Sequence, residues 1–259
     1  MYRKYTEMLG VVIVGIGTAG RVRVRDLLNP LPNSAIEKLK LMGFVSRMFL
    51  EAGKHVCVEY PLALSVAAAQ ELWDLADMKG KVLHVEHIEL LTESYKQLKQ
   101  QVNGKELIEG SLHFTGGPLD RQRTGFPAFS GISRLSWLVD LFGELTFKSA
   151  TLEEQQKQHY WKMTVHFLTK SSRPLVWTEE RGSELKRKKE IHFRFKSDTL
   201  DHFPEAPNSH VGVFMQDLNL FAQKLAGQTC TELSEKNRIL HCLDLADKIR
   251  IFCEQIPPS

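Results

Sequence analysis

Cysteine is scarce in this sequence, whose 259 residues include only Cys57, Cys230, Cys242 and Cys253. Such sparse, irregular spacing does not form a disulfide framework, so we expect reduced thiols and a cytosolic (cytoplasmic) location. Long apolar runs are also missing, which argues against a membrane span. Residues 1–8 are polar and charged, and we expect no signal peptide there.

The chain has little excess charge, with a formal net charge of only +3. This small excess gives no indication of a nucleic-acid partner, and it suits an acidic small molecule. Hydrophobic residues make up 42% and charged residues 25% of the chain, a balance typical of a folded protein. We find no internal repeat and no low-complexity segment, so one large domain or two small ones are expected.

The first hundred residues alternate predicted strands with predicted helices. Residues 10–14 form a short apolar run that predicts a buried strand, and residues 18–28 predict a helix that ends at Asn29-Pro30. This alternation is typical of a parallel α/β sheet. The other predicted elements are strands at 39–45, 54–59 and 82–85 and a helix over 66–78 capped by Ser65.

After Gly110 the pattern changes to alternation with period two, which predicts a sheet with one covered face and one polar face. We therefore predict a truncated α/β Rossmann-type domain over residues 1–109, followed by an α+β substrate domain with a large, mainly antiparallel sheet over residues 110–259. The strands are predicted at 111–115, 161–168, 175–179 and 191–196, and two closing helices at 213–225 and 234–252.

A glycine-rich turn joins the first predicted strand to the first predicted helix. Gly15, Gly17 and Gly20 with Thr18 and Ala19 form a G-x-G-x-x-G motif, which in this context indicates a dinucleotide-binding site. The helix N-terminus would then face the pyrophosphate. The alternative is a turn that needs glycine only for its backbone shape.

The end of the second predicted strand indicates which dinucleotide would bind. A site that prefers NAD usually has an acidic residue there, whereas this sequence has Ser46-Arg47. A hydroxyl and a guanidinium suit the 2′-phosphate of NADPH. The alternative is an ordinary solvated arginine on a loop.

Several sequence strings along nearly the whole chain identify a family. They are residues 11–20 (VVIVGIGTAG), 43–47 (GFVSR), 52–61 (AGKHVCVEYP), 67–73 (AAAQELW), 125–137 (GFPAFSGISRLSW), 142–145 (FGEL) and 238–242 (RILHC). Together they resemble the biliverdin reductases of the A type, within the wider family of glucose–fructose oxidoreductase and inositol dehydrogenase. The resemblance implies a monomeric enzyme of haem catabolism that transfers hydride from NADPH or NADH to the central methene bridge of biliverdin, giving bilirubin.

The resemblance also implies which residues react. The wider family reads Glu-Lys-Pro where this sequence has Glu59-Tyr60-Pro61, and the missing lysine argues against a sugar-type dehydrogenase. Tyr60 would donate a proton or a hydrogen bond near the nicotinamide, with Glu59 beside it. Glu86 and Glu89 match acidic residues of the family's site and would orient pyrrole N–H groups or carry protons. The alternatives are packing for Tyr60 and a solvated helix face for Glu89.

Arg134, beside Ser133, is the candidate anchor for the substrate, because a guanidinium binds carboxylates such as the two propionates of biliverdin through a planar fork. Phe126 and Phe129 would offer apolar contact to the rings. The alternative is a structural arginine at a helix start.

The family has also been associated with zinc at a C-terminal His-Cys and Cys-Cys pair. This chain has His241, Cys242 and Cys253, but Glu254 replaces the last cysteine. On a continuous helix Cys242 and Cys253 would lie ~16 Å apart, too far for one ion. Buried core cysteines are the alternative that we favour.

One stretch is too short for the predicted fold. A parallel crossover needs about a dozen residues or more, yet only residues 48–53 separate Arg47 from the strand at 54–59. The hexamer resembles the last turn of a helix, with Gly53 at its end. We infer a splice variant or an incomplete gene model, either an active reductase or an impaired isoform that acts at most by binding.

Overall fold

The computed structural model describes residues 9–12, 18–43, 49–119, 125–155, 160–205, 210–228 and 232–255. In these ranges no helix combines the length and the apolar character that crossing a membrane requires. The first part of the described chain contains two pairs of parallel strands, each joined through a helix. These elements are β1 (Leu9–Val12), α1 (Thr18–Leu28), β2 (Leu39–Gly43), β3 (Val56–Val58), α2 (Val66–Met78) and β4 (Leu83–Val85).

Local sequence explains these elements. Helix α2 begins where the Ser65 hydroxyl accepts a hydrogen bond from the backbone N–H of Ala68 at 3.2 Å, which satisfies one free donor of the first turn. Its apolar side chains at Ala69, Trp73 and Ala76 recur every three or four residues and are buried. The predicted helices over 18–28 and 66–78 are confirmed.

The parallel sheet is interrupted. Among the described residues β1 pairs with β2 and β3 pairs with β4, but no ladder joins the two pairs. Just before β3, the backbone N–H of Lys54 donates to the carbonyl of Phe49 at 2.8 Å, and that of Gly53 donates to the carbonyl of Leu50 at 2.9 Å. With Gly53 at a φ of 69°, this is the Schellman pattern that ends a helix. The chain thus keeps the end of a helix without room for its body.

The second part of the chain contains a six-stranded sheet in the order β10-β9-β5-β8-β7-β6. Strands β5 and β8 are parallel and every other neighbouring pair is antiparallel, which confirms the prediction of a mainly antiparallel sheet. The strands are β5 (Leu107–Gly116), β6 (Leu145–Gln155), β7 (Tyr160–Thr169), β8 (Pro174–Arg181), β9 (Lys188–Phe195) and β10 (Thr199–Leu200).

Helices cover one face of this sheet. Alternate residues such as Met163, Trp177 and Phe193 are buried on that face, as the period-two pattern predicts. The helices are α3 (Glu93–Val102), α4 (Pro127–Ser130), α5 (Ile132–Phe142), α6 (Val213–Leu225) and α7 (Glu232–Gln255). Helix α6 packs on α1, and α7 contacts α2, α4, α5 and β6, so the C-terminal helices return to the first part of the chain. The domain boundary between residues 109 and 110 falls within β5 and stays a prediction.

Candidate active site

The carboxyl ends of β3 and β4 lie side by side, because Val58 is in register with Val85. The residues that follow each strand therefore emerge together. The backbone N–H of Glu86 donates to the carbonyl of Val58 at 2.8 Å, and this bond fixes the exit of β4. The predicted site residues that follow β3, Glu59 and Tyr60, are thus brought next to Glu86.

Glu86 belongs to a buried ionic network. The Arg23 guanidinium, from α1, binds both Glu86 and Asp217, with its Nε donating to Glu86 Oε2 at 3.0 Å. Burial raises the pKa of Glu86 even though Arg23 counteracts it. The pKa of Asp217 is lowered, because hydrogen bonds from His84 and Arg23 outweigh its burial. Glu86 is therefore the carboxyl of this network that most readily holds a proton.

The network continues through His84 to α6 and α7. The Lys224 ammonium donates to His84 Nδ1 at 3.0 Å, and it can only donate, so Nδ1 carries no proton. The proton is then on Nε2, which donates to Asp217 Oδ1 at 3.0 Å. Lys224 also binds Glu235 at 2.6 Å. His84 is thereby fixed as one tautomer between an acid and a base.

Tyr60 points its hydroxyl into the protein. The peptide bond between Tyr60 and Pro61 is cis. The hydroxyl oxygen is buried, and none of its neighbours among the described residues meets hydrogen-bond geometry. Burial, together with the nearby Cys242 thiol, raises the pKa of Tyr60 well above its ordinary value, so the phenol keeps its proton.

His87 supports the ring of Tyr60, and the two ring centroids are 4.1 Å apart. The Arg238 guanidinium approaches His87 Nδ1 at 3.4 Å, and Ser136 Oγ lies 3.4 Å from His87 Nε2. Burial and the charge of Arg238 lower the pKa of His87 to about 3, so the ring is neutral at physiological pH.

Arg134 is already engaged within the protein. Its Nη2 donates to Glu179 Oε1 at 2.6 Å and its Nε donates to Glu179 Oε2 at 3.1 Å, which is the two-donor fork expected for a carboxylate. Its Nη1 donates to Ser133 Oγ at 2.8 Å. The structure thus brings Ser133 and Arg134 together, and it gives the fork of Arg134 an internal partner. Phe129 is 2% exposed in the core, so the expected ligand contact through its ring is not available.

Arg134 belongs to a group of four cations that we call the cationic shelf, made of Arg134, Arg181, Arg187 and Lys189. The guanidinium carbons of the three arginines lie 4.4, 4.5 and 5.9 Å from the centre of the Phe114 ring, in that order. The ammonium of Lys189 lies 4.3 Å from the ring of Trp137. Aromatic faces attract cations, so Phe114 and Trp137 help to hold the shelf in place.

Two carboxylates partner the shelf, Glu179 and Glu89. Glu179 is fully buried and binds Arg134 and Arg181, while Glu89 binds Lys189 and, at 3.3 Å, Arg187. Although burial opposes it, the ammonium of Lys189 lowers the pKa of Glu89. Four cations thus face two carboxylates, which leaves a formal excess of two positive charges in this group. The proposed solvated face for Glu89 is excluded, because Glu89 is held by the shelf.

The predicted cofactor residues are only partly within the described ranges. Gly15, Gly17, Ser46 and Arg47 lie outside them, and residues 18–20 (Thr18, Ala19 and Gly20) form the first turn of α1. These assignments stay predictions. The beginning of α1 directly after the glycine motif is the context that the motif requires.

Some functional candidates were not identified from the sequence, among them Arg23, His87 and Asp217. The sequence of β8 contains one indication of the shelf. Glu179 falls on the covered face of β8, in phase with the buried Leu175 and Trp177. A carboxylate at such a position requires a buried cation, so the pattern of β8 alone points to an ion pair.

The predicted zinc ligands do not come together. Helix α7 is continuous through His241, Cys242 and Cys253, and the His241 Nε2 accepts the backbone N–H of Leu145 at 3.0 Å. Cys242 is fully buried, as the core alternative predicts. In the described part of the chain, the ligand atoms of one other trio, Cys57, His84 and Asp217, lie within 4.8 Å of one another.

That trio does not fit a metal ion. Burial raises the pKa of the Cys57 thiol to about 12, whereas a metal binds the thiolate. His84 turns its Nε2–H towards Asp217 and receives Lys224 at its other nitrogen, so no ring lone pair is free. Arg23 already neutralises Asp217.

Two family models match this chain. Residues 95–207 match the model described as "Biliverdin reductase, catalytic". Residues 45–87 match the model described as "Oxidoreductase family, NAD-binding Rossmann fold". The first match spans all six strands of the large sheet and the shelf, and the second spans β3, α2 and β4.

Curated relatives match along nearly the whole chain. Biliverdin reductase A of Homo sapiens is 49% identical over 286 positions, covering 94% of this chain and 96% of the relative. The Mus musculus protein of the same name is 48% identical over 290 positions, covering 95% and 96%. The human alignment is longer than the 259-residue chain, so at least 27 positions of the relative have no counterpart here.

Solved structures share the fold. A biliverdin reductase from Synechocystis sp. PCC 6803, in complex with biliverdin and NADP+, superposes with a TM-score of 0.74 at 21% identity, covering 95% of this chain and 99% of that one. KijD10, a 3-ketoreductase from Actinomadura kijaniata in complex with NADP, has a TM-score of 0.70 at 16% identity, covering 95% and 97%. At these identities the likeness shows the fold alone.

Proposed function

This chain belongs to the biliverdin reductase A family, and we propose that it reduces biliverdin to bilirubin by hydride transfer from NADPH or NADH. The observation that carries the proposal is the 49% identity to a biliverdin reductase A over 94% of the chain. We propose further that it works as a cytosolic monomer without a required zinc ion.

The cationic shelf supports binding of the substrate. Biliverdin carries two propionates, and the shelf has a formal excess of two positive charges. Arg134 and Arg181 are bound by Glu179, whereas the side chain of Arg187 is 70% exposed and pairs with Glu89 at 3.3 Å, so that it can turn towards a ligand. We assign Ser133 and Arg134 to the base of this site and Arg187 to its open side.

The exit of β3 and β4 supports the proton chemistry. When bound, the nicotinamide supplies the hydride, and a pyrrole nitrogen of the substrate must then gain a proton. We assign Glu86 to relay that proton, because it is buried at the exit of β4 and its pKa is raised by burial against the effect of Arg23, while Lys189 lowers the pKa of Glu89. Glu59 is exposed next to Glu86 and would help to orient the N–H groups. Tyr60 keeps its proton, and donation to a ligand requires its hydroxyl to turn away from Cys242.

The cofactor site is proposed at the beginning of α1. Gly15, Gly17 and residues 18–20 would receive the pyrophosphate, and Ser46 and Arg47 the 2′-phosphate of NADPH. Replacing Arg47 by alanine should narrow the difference between the NADPH and NADH dissociation constants. An unchanged ratio would remove Arg47 from the site.

An impaired isoform is the second candidate function. It is favoured by the few residues that separate β2 from the helix end at Gly53, and by the lack of a ladder between the two strand pairs among the described residues. In this alternative the substrate domain retains the shelf and binds biliverdin, but the chain turns it over slowly or not at all.

The reductase proposal is tested at the shelf with a matched pair of variants. Arg187→Ala should raise the biliverdin KM about 5- to 10-fold, on the order of 1 kcal/mol, and leave the KM for NADPH unchanged. Lys188→Ala is the control, because its side chain is 64% exposed and pairs with Glu190 instead. Quenching of tryptophan fluorescence gives the biliverdin dissociation constant independently of turnover. Equal KM values and equal dissociation constants for biliverdin in the two variants would exclude the shelf as the propionate site.

A further inference from the structure

A cavity of about 340 Å³ lies between the end of β4, α3, α6 and the beginning of α7. Leu90, Leu91 and Leu220 give it an apolar side, and Lys96, Lys99 and Arg238 give it a cationic side. Glu89 is the neighbour of Leu90 but points to the cationic shelf, and no residue of the shelf lines this cavity. The cavity is therefore separate from the proposed propionate site.

One carboxylate serves the cationic side of the cavity. Asp140 accepts hydrogen bonds from Lys99 at 2.7 Å, from Arg238 Nη1 at 2.9 Å and from the hydroxyl of Tyr95. Although burial opposes it, the donors hold the pKa of Asp140 below its ordinary value. Two cations thus share one carboxylate, which leaves a positive charge at this wall.

Arg238 has a donor to spare. Its Nη1 binds Asp140 and its Nη2 approaches His87, while its buried Nε finds no partner among the described atoms. Lys99 is exposed and can turn towards a ligand. A buried donor without a partner costs free energy, which Arg238 would recover by turning this nitrogen towards an anion in the cavity.

The other charged side chains that line the cavity are paired. Lys224 is paired with Glu235, and Asp217 is paired with Arg23 and His84. Lys96 is paired with Glu93. The uncompensated charge of the cavity lining is therefore at Lys99 and Arg238.

We propose that this cavity binds a small organic anion, a carboxylate or sulfonate on an apolar body. The anionic group binds Lys99 and Arg238, and the apolar body packs between Leu90, Leu91 and Leu220. The proposal does not depend on the reductase assignment. The bound anion shares Arg238 with His87, so the cavity adjoins the residue that supports Tyr60.

The test is a fluorescence titration with anilinonaphthalene sulfonate, a dye that combines aromatic rings with a sulfonate, at saturating NADPH. We expect one saturable site on the folded chain. Leu220→Trp should fill the apolar side and weaken binding at least about 10-fold, and Lys99→Ala should weaken it about 3- to 10-fold. Lys79→Ala, at the exposed end of α2, is the control and should leave the dissociation constant unchanged.

Circular dichroism and the thermal midpoint establish that each variant is folded. If Leu220→Trp does not fold, Lys99→Glu replaces it, and this charge reversal at an exposed side chain should weaken the dye more than Lys99→Ala does. Dye binding that is seen only when NADPH is left out, or a dissociation constant that is the same in the Lys99 variants as in the unmodified chain, would overturn the proposal.

Discussion

The ring of Tyr60 lies against the imidazole of His87, with a tilt of 56° between the two planes. His87 is itself held between Arg238 and Ser136 and is neutral. The position of Tyr60 in the site is therefore set by a chain of contacts that starts at Asp140, the partner of Arg238. Because these contacts hold the ring and not the hydroxyl of Tyr60, a variant that keeps the ring tests the role of the hydroxyl in catalysis by itself.

Replacing Tyr60 by phenylalanine removes only the hydroxyl. We expect the free energy of unfolding to stay the same or to rise by up to about 1 kcal/mol, because the hydroxyl is buried and no neighbour among the described residues meets hydrogen-bond geometry with it. We expect kcat for biliverdin to fall, as proton donation by the phenol requires. Chemical denaturation and steady-state kinetics measure the two effects, and an undiminished kcat would leave Tyr60 a shaping residue.

His87 should make the stability depend on pH. Its pKa in the folded protein is about 3, below its ordinary value near 6.5, so its contribution is present above pH ~6.5 and is lost as the pH falls. The expected loss is up to about 1.4 kcal/mol per pH unit. Burial also lowers the pKa values of His55 and His241, so the difference between the chain and His87→Asn isolates His87. Urea denaturation between pH 4 and 8 gives the free energy of unfolding at each pH. His166→Asn, a change at an exposed position, is the control. The prediction is wrong if the free energy of unfolding depends on pH in the same way in His87→Asn and in His166→Asn.

Gly131 leaves no room for a side chain beside the shelf. A Cβ there would lie 2.5 Å from the ring of Trp177 and 3.2 Å from the carboxyl carbon of Glu179. We expect Gly131→Ala to cost about 1–3 kcal/mol and to weaken biliverdin binding, because Glu179 positions Arg134. Gly212→Ala is the control, since its Cβ would meet nothing within 4 Å. Equal thermal midpoints for the two variants would contradict the expectation.

Zinc is not expected to take part. Cys242 and Cys253 lie on one continuous helix, and the Nε2 of His241 already accepts a hydrogen bond from the backbone N–H of Leu145. Chelation should leave the biliverdin rate unchanged, and metal analysis of the purified chain should find less than one zinc per molecule. Loss of activity that zinc alone restores would show that a site forms.

The short connection between β2 and β3 should lower both the solubility of the chain and its turnover of biliverdin. We expect that inserting the family's segment between Arg47 and Phe49 yields a protein that is more soluble and turns over biliverdin much faster. The inserted residues would extend the helix that ends at Gly53 and would cover the strand edges that are unpaired among the described residues, which otherwise favour aggregation. Equal turnover of the two proteins at saturating NADPH would show that the segment is dispensable.

The sequence predicted elements well where a strong pattern met a clear end signal. The helices Thr18–Leu28, Val66–Met78 and Val213–Leu225 have the predicted bounds. Strand β6 (Leu145–Gln155) was missed, because it is an edge strand in which only Leu145 and Ala150 are buried. An edge strand with so few buried residues shows almost no alternation to detect.

The site was harder to predict than the fold. Tyr60, Glu86 and Arg134 were named from the resemblance, but their partners depend on the topology. Arg23 and Asp217 are 194 positions apart, and Arg134 and Glu179 are 45 apart. No local pattern specifies which distant carboxylate meets which cation.

Helix α7 has a consequence for how ligands enter. Its 24 residues span ~36 Å and touch α2 on one side and α5 and β6 on the other. Its buried side chains, Ile239, Leu243, Ala246 and Ile249, pack into the same core. A hinge motion between the first and the second part of the chain would have to disrupt this packing along the helix. We therefore expect the helix to hold the two parts of the chain together, so that ligands enter and leave without one part swinging away from the other.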